Sequence, residues 1–194
     1  MADPRLRHSQ GCTPRHGRGF RSGHSRGFTL IELVVVVAII GIIASILIPA
    51  LLDSIQRAKQ KRTLADVRSI GLAWFGWVTD NAGAPSAGRA GSTFDFGTLT
   101  QVSFAELTDD LIPIYINELP NRDGWGHLLQ FGRAERLDVL LPIGIRSPGR
   151  HGSFDSSTYD NDAFLVTDYD RDIVWLGGFF FTWPSGIAAQ TETP

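Results

Sequence analysis

Apolar residues dominate one early stretch and then thin into a stripe. From Phe28 the chain runs FTLIELVVVVAIIGIIASILIP, with Glu32 the single charge between Phe28 and Ile48. Twenty-one helical residues reach roughly 32 Å, enough to cross a hydrocarbon core of about 30 Å. A secretory h-region is shorter and ends at a small-residue cleavage site. The pattern therefore predicts a membrane-spanning helix. Beyond it Leu52, Ile55, Ala58, Ala65, Val67, Ile70, Trp74 and Val78 recur mostly at steps of three and four, with charged residues between. That periodicity extends the helix to about residue 79 and lays one apolar stripe on a folded body. Pro49 is expected to kink or locally melt it. Trp74, Phe75 and Trp77 are expected to pack on a sheet.

The rest of the pattern is shorter and mixed. Residues 81–103, rich in Gly, Ser, Ala and Thr, read as a loop. Residues 104–111 read as a short helix with Ser103 as N-cap and Glu106 three positions on. Residues 112–117 read as an edge segment and 121–124 as a turn. Strands are expected at 128–131, 137–145 and 164–167, with a loop at 147–153. The clearest hairpin is Ile173–Leu176, Gly177-Gly178, then Phe179–Pro184. The last ten residues read as a loose tail. The expected fold class is α+β, a long helix on a small antiparallel sheet.

Charge is unevenly placed. The chain carries Lys+Arg 18 and Asp+Glu 20, a formal net charge of −2. Arginines 5, 7, 15, 18, 21 and 26 against Asp3 make residues 1–27 strongly basic, whereas the remainder is acidic. This suggests a basic leader before an acidic body, and it disfavours phosphate gripping by the body. Arginines before the apolar run place the N-terminus in the cytoplasm and the body outside. The single cysteine, Cys12, lies in the basic block, so a chain starting at Phe28 has no thiol. Beyond the leader there is no GxxxxGK, HExxH, GxSxG, GxGxxG or CxxC, and the only histidines there are His127 and His151. An enzyme is not expected.

Glu32 sits one turn inside the apolar run, where a charge costs about 2.5–3.5 kcal/mol at mid-bilayer and less near an interface. Cleavage after Gly27 would create a positively charged amine on Phe28, four residues away. An amine on a neighbouring copy could also pair with Glu32 as helices bundle.

GFTLIELVVVVAIIGIIASILIPAL strongly resembles the N-terminus of type IV prepilins and type II secretion pseudopilins. The resemblance implies cleavage by a prepilin peptidase between Gly27 and Phe28 and methylation of Phe28. It assigns Glu32, Gly41 and Pro49 to filament assembly. At 27 residues the leader is long for that family. The body resembles the major pseudopilin of type II secretion through Asp123-Gly-Trp125-Gly126, Ser147-Pro-Gly149-Arg-His151-Gly152 and Asp170-Arg-Asp172-Ile173. In that family the late loop binds calcium where pilins carry a disulfide.

The spacing Asp168-x-Asp170-x-Asp172 puts alternate carboxylates on one face of an extended segment, and hard oxygen ligands suit Ca²⁺. An EF-hand is excluded, because Ile173 and Phe179 stand where it needs Gly and Glu. The alternative is a solvated acidic loop. With the resemblance, the expected calcium ligands are Ser147, Asp168, Asp170 and Asp172. His151 stands where the family often has Asp, and residues 153–167 lengthen the loop.

The expected organisation is a leader over 1–27, a transmembrane and filament-core half-helix over 28–52 and an amphipathic half over 53–80. A periplasmic pilin-like domain over 81–184 and a tail over 185–194 follow. The implied role is a pseudopilus subunit polymerising in the periplasm to drive export of folded proteins. Its implied partners are further copies, minor pseudopilins, the inner-membrane platform and the prepilin peptidase, with no nucleic acid. The alternatives are a type IV pilin or competence pseudopilin, or an enzyme that borrowed the anchor.

Overall fold

The computed structural model describes residues 27–83 and 91–185. The basic leader with Cys12 and most of the tail lie outside the described residues. The chain divides into two compact units, 1–44 and 45–194.

The first unit contributes the opening of helix α1 (Leu30–Ala82), 53 residues in all. The helix is continuous through Pro49, so no turn is melted there. Every Leu, Ile and Val from Leu30 to Leu52 is 47–80% exposed. An apolar surface this long is not stable in water and calls for lipid or other helices.

The second unit is built on the rest of α1. Its buried positions are Gln60, Thr63, Leu64, Val67, Ile70, Gly71, Trp74 and Val78. The three- and four-residue spacing is as expected, but the stripe starts later. Leu52, Ile55, Ala58 and Ala65 are exposed. The first two continue the apolar surface of the N-terminal half rather than the core of the body.

A sheet of six strands receives that stripe. The strands are β2 (Thr100–Val102), β3 (Gln130–Arg133), β4 (Ile143–Ser147), β7 (Ile173–Leu176), β8 (Phe179–Pro184) and β6 (Asp162–Phe164), in that spatial order. All neighbours are antiparallel except β6 and β8, which run parallel. The sheet is therefore mixed at one edge, because residues 153–167 return β6 beside the C-terminal strand. A separate two-stranded ribbon pairs β1 (Thr93–Asp95) with β5 (Thr158–Asp160).

Val67, Ile70, Trp74 and Val78 pack with Phe131, Ile143, Ile145 and Trp175 in one core cluster, with Phe75 and Trp77 at its edge. The expected aromatic packing on a sheet is what forms. A second cluster joins Phe96, Tyr159, Val174, Leu176 and Phe181, as alternation in β7 and β8 requires.

Helix α2 (Phe104–Leu111) has Ser103 Oγ accepting from the Glu106 N–H at 3.2 Å. The Glu106 carboxylate accepts instead from Arg133 at 2.9 Å, so only half of a capping box forms. The hairpin turn has φ of +52° at Gly177 and +115° at Gly178, the backbone two-residue turns demand.

Three readings are corrected. The described part of 81–103 contains β1, a 3-10 turn (Phe96–Thr98) and β2; its small residues hide short strands built on Phe94, Phe96 and Val102. Residues 112–115 form turns rather than a strand. The run 137–145 is a strand only from Ile143, since 138–141 bend before it. The strands expected at 128–131 and 164–167 shift by two or three residues, and the two hairpin strands lie where expected.

Candidate functional site

Two regions carry the residues singled out by sequence. The first is the start of α1. Glu32 is three residues into the helix after Thr29. Its Oε2 accepts from the Thr29 N–H at 3.0 Å and from the Thr29 hydroxyl at 2.7 Å. The Glu32 N–H in turn donates to Thr29 Oγ1 at 3.3 Å. This is a capping box, with Thr29 as N-cap and Glu32 at the third helical position. The Thr-x-x-Glu spacing carries this signal, which the surrounding apolar run masks. Gly27 and Phe28 precede the helix and are exposed. Nothing within 4 Å faces a Cβ added to Gly41, so that glycine leaves an open notch on the apolar helix.

The second region lies in the body, where two loops meet α1 between Asp53 and Thr63 and another bridges them. The Asp123-Gly-Trp-Gly126 loop packs directly on the helix. Gly124 N–H donates to Thr63 Oγ1 at 2.9 Å, and Trp125 Nε1 donates to Gln56 Oε1 at 2.7 Å. A Cβ at Gly124 would fall 2.2 Å from the Lys59 carbonyl oxygen, so only glycine permits this approach. Asp123 is buried. Its Oδ1 accepts from the Trp125 and His127 N–H groups, each at 2.9 Å, and its Oδ2 accepts from Ser147 Oγ at 2.8 Å. His127 Nδ1 lies 2.8 Å from the Gly149 carbonyl oxygen. Asp123 thus joins the first loop to the second.

The third loop joins the helix through Tyr169, whose hydroxyl donates to Asp53 Oδ1 at 2.5 Å. Asp53 Oδ2 also pairs with Arg57 at 2.8 Å. The second and third loops join each other where Arg150 N–H donates to the Tyr169 carbonyl at 2.8 Å.

Residues 168–172 are not extended, so the expected shared face of three carboxylates does not form. Asp168 Oδ1 accepts from the Asp170 N–H at 3.4 Å. Asp170 takes a two-pronged pair from Arg150, at 2.9 and 2.5 Å, which holds its carboxyl below the usual range. Asp172 turns inward. Its Oδ2 accepts from Tyr159 OH at 2.6 Å and from the Asp155 N–H at 3.0 Å. Burial pushes the Asp172 carboxyl up, and it pushes the Tyr159 phenol far above the ordinary tyrosine range. Tyr159 therefore stays a donor.

Ser147 Oγ donates to Asp123, Asp170 is taken up by Arg150, and Asp172 by Tyr159 and the Asp155 N–H. Among the described residues, no group of three or more His, Cys, Asp or Glu side chains is gathered for a metal. With those partners, the side chains alone do not form a calcium shell of six to eight oxygens.

A half-exposed apolar helix with a capped start, joined to a sheet through a glycine-bedded loop, defines a membrane-anchored subunit with a pilin-like body. Residues 23–48 match the family described as the prokaryotic N-terminal methylation motif. The chain is 28% identical over 146 residues to the type II secretion system core protein G of Dickeya chrysanthemi, covering 74% of this chain and 82% of that one. It is 28% identical over 145 residues to the protein of the same name from Escherichia coli K12, covering 74% and 87%. It is 34% identical over 122 residues to the type IV major fimbrial protein FimA of Dichelobacter nodosus, covering 60% and 73%. No solved structure matches. The chain belongs to the type IV pilin-like family.

Proposed function

We propose that this protein is the major pseudopilin of a type II secretion system, a structural subunit rather than an enzyme. The observation that carries the reading is the length of the likeness to core protein G, which runs through both the anchor helix and the sheet body. The fimbrial likeness is shorter on both chains, which ranks a type IV pilin or competence pseudopilin second.

In this reading a prepilin peptidase cleaves between Gly27 and Phe28, and Phe28 is methylated. The subunit waits in the inner membrane with its N-terminus cytoplasmic and its body periplasmic, as the arginine bias favours. Copies then bundle their apolar half-helices into a filament, together with minor pseudopilins and the secretion platform. Moving residues 28–52 from lipid into such a bundle exchanges one apolar surrounding for another. Packing at the Gly41 notch and at small residues such as Ala44 and Ser45 must therefore supply the association energy. Pro49 adds no N–H to the helix ladder and is the natural point for a bend during assembly.

Comparing secreted proteins with and without the gene tests the reading. Loss of specific exoproteins, with surface motility and DNA uptake intact, is the expected result. Unchanged secretion with lost motility or uptake moves the protein to the pilin or competence branch.

A further inference from the structure

We propose that the late loop of this body is closed by the chain's own basic side chains in place of a divalent cation. The inference concerns the loop's chemistry and stands apart from the secretion reading.

Three carboxylates of the loop region each face a basic group. Asp170 receives both prongs of the Arg150 guanidinium, at 2.9 and 2.5 Å. The Arg150 backbone N–H also donates to the Tyr169 carbonyl, so the pair is held from two sides. Asp155 Oδ1 lies 3.3 Å from His151 Nε2. Asp172 is answered through one intermediary. Arg146 Nη1 donates to Tyr159 OH at 2.9 Å, and Tyr159 OH donates to Asp172 Oδ2 at 2.6 Å.

Arg146 is fixed for that task. Its Nε donates to Gln130 Oε1 at 2.7 Å, and its Nη1 also donates to the Ser156 carbonyl at 3.0 Å. Its guanidinium lies 4.5 Å from the Phe96 ring centre and 4.0 Å from that of Phe154. Such stacking suits a planar, weakly hydrated cation. Residues 153–160 supply Phe154, Asp155, Ser156 and Tyr159, so the lengthened loop is the part that completes the arrangement.

Two arginines against Asp170 and Asp172 balance the charge that one divalent ion would bring. Of the two remaining candidates, Ser147 Oγ donates to Asp123 and Asp168 Oδ1 accepts from the Asp170 N–H. The strongest opposing feature is Asp172 Oδ1, which is buried without a partner. It belongs to a residue lining a polar cavity of about 190 Å³ beside Asp155, Asp160 and Asp162. A cation resident there would contradict the proposal.

The test uses the full chain in detergent, unfolded by heat and followed by its tryptophan signal. The midpoint is measured with excess EGTA, then with calcium or magnesium restored. The proposal expects the same midpoint in all three. It expects Arg146→Gln and Arg150→Gln each to lower the midpoint by about 2–4 °C. It also expects Arg150→Asp with Asp170→Arg to recover most of the Arg150 loss. A midpoint raised by either metal overturns it, as do arginine variants that melt like the parent. Should Arg146→Gln not fold, Arg150→Gln decides the matter, because its side chain is half-exposed.

Discussion

Thr29 and Glu32 close a reciprocal cap at the start of α1, each side chain bonded to the other's backbone N–H. The Glu32 carboxylate therefore enters the apolar helix already holding two donors. Its charge is solvated locally before any neighbouring copy arrives, which reduces the burden of carrying it into lipid.

Capping and intersubunit pairing can be separated by side-chain chemistry. Glutamine at the third helical position still closes a capping box, but it carries no charge. Glu32→Gln should insert normally and keep the helix start, while losing any pairing to a neighbour's amine. Glu32→Ala loses both. We expect each variant to fractionate with membranes and each to fail in filament assembly, scored by crosslinking between subunits. Thr29→Val, which removes only the cap hydroxyl, should assemble. If Glu32→Gln assembles like the parent, the charge has no role between subunits.

The Asp123–Gly126 loop gives a sharper prediction. Gly124→Ala forces a Cβ to 2.2 Å from the Lys59 carbonyl oxygen, and backbone must move to relieve it. We expect a loss of roughly 2–4 kcal/mol, at the upper end for a single substitution. Asp123→Ala leaves two half-buried N–H groups and the buried Ser147 hydroxyl without their acceptor. The buried hydroxyl left unsatisfied costs about 1–3 kcal/mol, and the half-buried N–H groups, which water can reach, cost less. Chemical denaturation of the full chain in detergent checks both, with a shifted midpoint and an unchanged slope as the sign of lost stability alone.

This loop also shows how far the sequence could be read. Long apolar periodicity placed α1 and its stripe, because one helix of fifty residues repeats its signal many times. Gly177-Gly178 placed the hairpin, because both turn residues need positive φ. The short strands β1, β2, β5 and β6 have three residues each, too few for alternation to stand out from a loop. The Asp-x-Trp-Gly motif was recognised by resemblance, but its role depends on Gln56, Lys59 and Thr63, more than sixty positions earlier. The alternation of the acidic triplet presumes an extended backbone, which the structure does not have there. Bends at Asp170 and Arg171 accompany an inward Asp172 and leave Asp170 to Arg150.

Gly71 is a packing residue that periodicity alone left unmarked. It lies on the buried stripe of α1 facing the Trp175 indole, and a Cβ there would meet three ring atoms at 2.6–2.7 Å. Gly71→Ala raises helix propensity by about 1 kcal/mol, yet overpacking should cost about 1–3 kcal/mol. We expect net destabilisation. Trp175→Leu should cost stability alone and make room for the added methyl. A double-mutant cycle should then show a favourable coupling of about 0.5–3 kcal/mol. Strict additivity would mean that the helix and sheet separate freely at this point.

The pH dependence turns on Asp172, with Asp170 acting in the opposite direction. Burial raises the folded carboxyl of Asp172 above its ordinary value of 3.8. Between that value and the raised one, the folded chain holds a proton that the unfolded chain has released. Stability therefore falls as pH rises through this window, and below it the contribution is constant. Asp170, held low by Arg150, contributes stability that is present above 3.8 and lost as pH falls through its lowered folded value. Melting the full chain from about pH 3 upward should show stability rising first, as Asp170 ionises, and then declining as Asp172 does. Asp172→Asn should remove the decline and leave the rise; Asp170→Asn should do the reverse. A decline that persists in Asp172→Asn would assign the buried charge to another group, with Asp110, which burial also pushes up, the first to examine.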